Sequence, residues 1–124
     1  MENDNRSRSE KLEDRLIDFA LAVNEILENL PNTYLGRNLS SQLTRSSTSP
    51  ALNYGEAQSA SSTKDYIHKM RISLKELRET NVGLKIIDRG KLIANQEMLD
   101  ITRKECDELM AIFVTSINNA NNRM

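Results

Sequence analysis

Apolar side chains recur along this chain at alternating intervals of four and three residues. Leu12, Leu16, Phe19, Val23, Ile26 and Leu30 form the first such series, and Ile17, Ala20 and Leu27 widen it. That spacing puts apolar groups on one face of an amphipathic helix. Ser9 is the candidate N-cap. Pro31 is expected to end the helix, because it offers no N–H and crowds the preceding turn. A second series, Leu39, Leu43, Ser46/Ser47, Pro50, Tyr54 and Ala57, predicts a helix starting between Leu35 and Asn38. Its small central residues let a partner helix approach closely, and Pro50 is expected to kink or split it. Residues 58–61 read as a turn. Ser62-Thr63-Lys64-Asp65 has the form of a capping box, with Asp65 in place of the usual Glu or Gln. The third helix then carries Ile67, Met70, Leu74, Leu77 and Leu84, and is expected to stop near Asp88 with Gly90 as the breaker. A fourth starts near Asn95 and carries Leu99, Thr102, Cys106, Leu109, Phe113 and Ile117. Four helices with short connections predict an all-α, antiparallel up-down-up-down bundle, with the second helix kinked near Pro50. The expected division is a disordered arm over residues 1–8, one domain over 9–120 and a frayed tail over 121–124.

Composition supports this reading and narrows the chemistry. The chain has 124 residues, with only four Gly and two Pro, so it is barely punctuated by turns. Aromatics at 4% argue against a sheet protein. No run approaches the roughly 20 apolar residues of a membrane-spanning helix. Met-Glu-Asn-Asp-Asn at the start lacks the basic and apolar regions of a signal peptide. A single Cys makes no internal disulfide and no metal knuckle, so a cytoplasmic location is expected. The glycines at 36, 55, 83 and 90 are isolated, so there is no phosphate loop. His68 is the only histidine and has no Glu three residues before it, which excludes the Glu-x-x-His pairs of a di-iron bundle. Cys106 lies on an apolar stripe and reads as an inert core thiol. No catalytic residue, cofactor or metal is expected.

Charge nearly cancels, with 17 basic and 18 acidic residues, but it is unevenly spread. Residues 1–34 carry a net −4, residues 35–91 a net +5 and residues 92–124 a net −2. Lys64, His68, Arg71, Lys75, Arg78, Lys85 and Arg89 follow the four/three spacing along the third helix, interrupted only by Val82. Asp14, Asp18, Glu25 and Glu28 make an acidic counterpart on the outward face of the first helix, interrupted by Leu21. Three readings fit the basic ridge. It is a solvated face whose long stems cover the seam, a contact with acidic helix faces of a neighbouring subunit or protein, or a site for RNA or DNA. The near-zero net charge and scarce aromatics weigh against nucleic acid. Leu109 to Val114 is apolar all round, which points to a second packing partner and makes Met110, Ile112 and Val114 candidate oligomer contacts.

The second helix carries a polar stripe, Gln42, Arg45, Ser49, Asn53 and Glu56, beside its small-residue stripe. Polar groups next to a seam hydrogen-bond across to another helix, since an unpaired buried charge is costly. Arg45 is expected to meet a carboxylate such as Glu56 or Glu79. A small-molecule pocket around Arg45, Asn53 and Glu56 is the alternative to an internal network. The segment from Gln42 to Ala57 resembles small four-helix-bundle proteins related to the open reading frame in bacterial 23S ribosomal RNA intervening sequences. The family shows Gln-hydrophobic-x-Arg followed by Ser-x-x-x-Asn-x-x-Glu, and Gln42, Arg45, Ser49, Asn53 and Glu56 stand on those positions. Ser62, Asp65, Tyr66, Leu77 and Glu79 continue the pattern, and the resemblance runs from about Leu16 to Ile93. The chain departs from it in having Ala51 where many members have Pro, and Ser59-Ala60 where a basic turn is common.

The resemblance implies a ring of bundles, commonly a homopentamer, without known enzymatic activity. One relative class, the accessory variability proteins of diversity-generating retroelements, forms basic pentamers that bind a reverse transcriptase and nucleic acid. This chain is mildly acidic. The expected function is therefore a ring-forming, non-enzymatic interaction or adaptor protein with a protein partner and no membrane contact. The alternative is a nucleic-acid-binding accessory that uses the basic ridge.

Overall fold

The computed structural model describes residues 4–124; residues 1–3 of the expected arm lie outside the described residues. Four helices follow in order: α1 (Arg8–Leu27), α2 (Tyr34–Gln58), α3 (Thr63–Arg89) and α4 (Gln96–Asn122). Each packs along its neighbours in chain order, α4 also meets α1, and the diagonal pair α1 and α3 make no contact. Cross-helix partners run in opposite directions. Asn24 meets Ser47, Arg45 meets Glu79 while Glu56 meets Lys69, and Asp88 meets Arg103. The architecture is the expected antiparallel bundle, so α1 and α3 point the same way. No helix among the described residues is long and apolar enough to cross a membrane.

The apolar stripes read from the sequence form the core. Phe19 and Phe113 are its largest fully buried side chains, and Leu16, Ile26, Leu43, Met70, Leu77, Leu84, Ile87, Leu99 and Leu109 surround them. Tyr54 stacks edge-on against Phe113 with centroids 5.9 Å apart. The small residues of α2 are buried as expected. Ser46 Oγ accepts from Thr80 of α3 at 2.8 Å, and Ser47 Oγ accepts from Asn24 of α1 at 3.1 Å. Helix α2 runs unbroken through Pro50 and is not split there. Pro50 itself is buried, and its carbonyl accepts a bond from Ser73 Oγ of α3 at 3.1 Å. No buried side-chain polar atom among the described residues lacks a partner.

The ends of the helices depart from expectation in instructive ways. Ser7 caps α1, accepting from Glu10 N–H at 3.0 Å, while Ser9 instead donates to Gln58 of α2. Helix α1 stops at Leu27, and the tightened bonds of Asn29 N–H to Ile26 O and Leu30 N–H to Leu27 O fold Leu30 back against the core before Pro31. Thr33 caps α2, and the Pro31 carbonyl sits where a Cβ on Gly36 would be, 2.0 Å away, so this turn needs glycine. Ser62 caps α3 as expected, accepting from Asp65 N–H at 3.1 Å, although Asp65 reaches back to Ser61 N–H. At the end of α3 Gly90 has an ordinary negative φ, and Lys91 takes the left-handed conformation at φ 51°. Lys91 N–H then bonds Asp88 O and Leu92 N–H bonds Ile87 O, the paired bonds of a Schellman motif, with Leu92 as its apolar contact. Helix α4 continues to Asn122, two residues past the point where fraying was expected, with Ala120 buried against the bundle.

Candidate functional site

The polar stripe of α2 resolves into separate pairs. The Arg45 guanidinium donates to Glu76 at 3.0 Å and to both oxygens of Glu79 at 2.9 Å. Burial first, and then the adjoining Glu79 carboxylate, push the Glu76 carboxyl above its ordinary pKa. Glu56 does not reach Arg45, as one expectation had it. It lies about three turns further along α2 and pairs with Lys69 at 3.6 Å. Asn53 donates to Ser49 within α2, and Gln42 donates to Asn38. Arg45 and Glu56 thus tie α2 to α3, Asn53 and Gln42 bond within α2, and the stripe does not converge on one point. Glu76 escaped the sequence reading. Its place beside Glu79 on the same face of α3 was the available signal.

Two more charge pairs strap the outer helices. Arg15 of α1 donates to Glu105 of α4 at 2.6 Å, and Arg103 of α4 donates to Asp88 of α3 at 2.6 Å. The α1–α4 side carries two grooves, one on each side of the Arg15–Glu105 strap. One of about 460 Å³ lies beside Asp18, Ala22 and Ile101, and one of about 510 Å³ beside Leu12, Tyr54 and Ile112.

The basic row behaves differently from these pairs. Lys64, His68, Arg71, Lys75, Arg78, Lys85 and Arg89 are all exposed. Among the described residues none of the seven forms an ion pair or side-chain hydrogen bond. The acidic residues of α3 turn away from the row, Asp65 to the Ser61 N–H, Glu76 and Glu79 to α2 and Asp88 to α4. Val82 in the middle of the row is 54% exposed. The acidic row of α1 is similarly placed. Asp18, Glu25 and Glu28 are exposed and without an ion pair among the described residues, and Leu21 between them is 65% exposed. Asp14 is engaged by Arg6. The two rows stand on diagonal helices, on opposite corners of the bundle, and do not neutralise each other within one chain.

The three apolar candidates of α4 do not share one surface. Met110 is half-buried against the core, Ile112 lines the α1–α4 groove, and Val114 lies exposed between α3 and α4 beside Arg71 and Arg78. Only Val114 adjoins the basic row. Cys106 is buried, with its thiol near the Leu77 carbonyl and its pKa pushed up to about 12, chiefly by burial. His68 stands exposed in the basic row. Among the described residues no three His, Cys, Asp or Glu side chains are grouped to hold a metal ion.

Residues 11–115 match the family described as 23S rRNA-intervening sequence protein. A crystal structure from Bacteroides thetaiotaomicron VPI-5482, of a protein with unknown function from the S23 ribosomal protein family, is similar throughout. It is 25% identical, with a TM-score of 0.76, and the match covers 90% of this chain and 99% of that one. No curated protein matches the chain.

Proposed function

The chain belongs to the 23S rRNA-intervening sequence protein family, and on that premise we propose that it is a non-enzymatic interaction protein whose bundles assemble head to tail into a ring. Five copies is the ring size that the family resemblance implies. The observation that carries this reading is the pair of opposed charged rows, basic on α3 without an ion pair and acidic on α1 with only Asp14 paired, to Arg6, each row broken by one exposed apolar residue. Because the rows occupy opposite corners, the row of one copy meets its complement on the next copy and leaves a free row at each end. Such heterologous contacts repeat until rotation closes them. A single exposed ion pair contributes only roughly 0.2–1 kcal/mol, so the row works as a set, around a small apolar contact that loses water. The ring would present each remaining face several times over, which is what an adaptor for a protein partner requires. Static light scattering at micromolar concentration tests this: a mass several times the 14.1 kDa of one chain is expected, and a stable monomer overturns it.

A second reading has an observation of its own. Seven unpaired basic groups spread over about 38 Å of one helix form a footprint suited to a phosphate backbone. It calls for RNA or DNA binding that weakens steeply with salt, measured by anisotropy of a labelled oligonucleotide; salt-insensitive or absent binding removes it. The matched acidic row on α1 and the net charge of −1 favour the ring.

A further inference from the structure

We infer that the two rows meet in one parallel register, α1 of one copy beside α3 of the next, with Leu21 opposite Val82. This deepens the ring reading and rests on it. Direction follows from topology. Helices α1 and α3 point the same way within a bundle. Rotation about a ring axis running along the bundle preserves that direction, so α1 and the next copy's α3 run parallel.

Register follows from spacing. Setting Leu21 against Val82 is an offset of 61 residues, and the same offset sets Glu10 against Arg71, Asp14 against Lys75 and Glu28 against Arg89. Asp18 against Arg78 and Glu25 against Lys85 differ by an offset of 60. One residue of helix rise is about 1.5 Å, well within the reach of lysine and arginine side chains. Five acidic groups therefore face five basic ones, with Asp14 shared between Lys75 and its own chain's Arg6, and the two apolar interruptions face each other. Sliding α1 by one heptad breaks the match. Leu21 then faces Lys75 or Arg89, and Val82 faces Asp14 or Glu28, so a charge is desolvated against an aliphatic group in both helices. An antiparallel pairing also sets Leu21 on Val82, with Asp14 on Arg89. It leaves Glu10 without a basic partner, and ring rotation does not generate it.

The seam is tested on the full chain by a charge swap, read as mass against concentration, with helicity checked by circular dichroism. Glu25→Lys and Lys85→Glu each set like charges against each other. Each is expected to raise the concentration for half-assembly about tenfold or more, while helicity is unchanged because both sites are exposed. The doubly swapped chain is expected to assemble nearly as the wild type does. A wild-type chain that is monomeric overturns the ring reading and the seam together. A wild-type oligomer that both single variants leave intact overturns the seam alone. Direction is read by paired cysteines, since the native Cys106 is buried. Oxidised Asp14→Cys/Lys75→Cys is expected to give covalently linked multimers and Asp14→Cys/Arg89→Cys none. The reverse result overturns the parallel register.

Discussion

Gly83→Ala is expected to destabilise the bundle, although alanine is ordinarily the better helix residue. A Cβ at Gly83 would lie 2.3 Å from Leu43 Cδ2 and 2.7 Å from Cδ1, far inside the roughly 3.5–4.0 Å of good carbon contact. Leu43 is 2% exposed and part of the core between α2 and α3, so turning it away displaces other core side chains. Replacing an interior helix glycine by alanine gains roughly 0.5–1 kcal/mol, whereas overpacking a core costs roughly 1–3 kcal/mol. The clash wins, and a net loss of about 1–2 kcal/mol is expected, several degrees of Tm for a chain of this size. Gly55 is the matched control. Its nearest neighbour is Glu13 Oε1 at 3.9 Å, so Gly55→Ala is expected to gain up to about 1 kcal/mol. Leu43→Ala removes the obstacle, at its own cost of roughly 2–5 kcal/mol, and in that background Gly83→Ala is expected to become stabilising. Thermal and urea unfolding followed by circular dichroism, at one fixed chain concentration, measures the four variants against the wild type. A Gly83→Ala variant as stable as the wild type would refute the close α2–α3 packing on which the sign depends.

Three further outcomes follow from local features. Lys91 holds a left-handed φ of 51° at the end of α3, so Lys91→Gly is expected to raise stability by about 0.5–1 kcal/mol, and a lowered Tm would contradict the cap geometry. Glu76, raised by burial, keeps its proton in the folded chain at pH values where the unfolded chain has lost it. Its contribution to stability therefore declines as pH rises from the ordinary carboxylate value to the raised one. Glu76→Gln does not titrate, so its stability relative to the wild type is expected to improve as pH rises above the ordinary glutamate value, and a pH-independent difference counts against the raised value. The Cys106 thiol, buried and pushed up to about 12, is expected to resist alkylation at pH 8 in the folded chain and to react once urea unfolds it.

The helices and their buried faces were readable because periodicity is a local property. The stripe positions from Leu39 to Ala57 and from Leu99 to Ile117 are buried as their spacing foretold. Partner choice across helices was not readable in the same way. Arg45 had two plausible acids, and picking Glu76 and Glu79 over Glu56 requires the height of α2 against α3, which only packing fixes. The ends were misplaced where two caps competed. Ser7 lies two residues before Ser9 with equal capping chemistry, and Lys91 rather than Gly90 takes the left-handed turn. The charged rows were legible as rows. The lack of ion pairs along the basic row became visible only when Glu76, Glu79 and Asp88 were seen to face elsewhere.

The most direct measurement is native mass spectrometry of the full chain at low ionic strength, which counts copies and weighs anything that travels with them. A single closed species of five copies, carrying no added mass, is the expected result. A monomer would contradict the head-to-tail assembly. A dimer would contradict it equally, because two rows on opposite corners of one bundle cannot both be satisfied by a single partner.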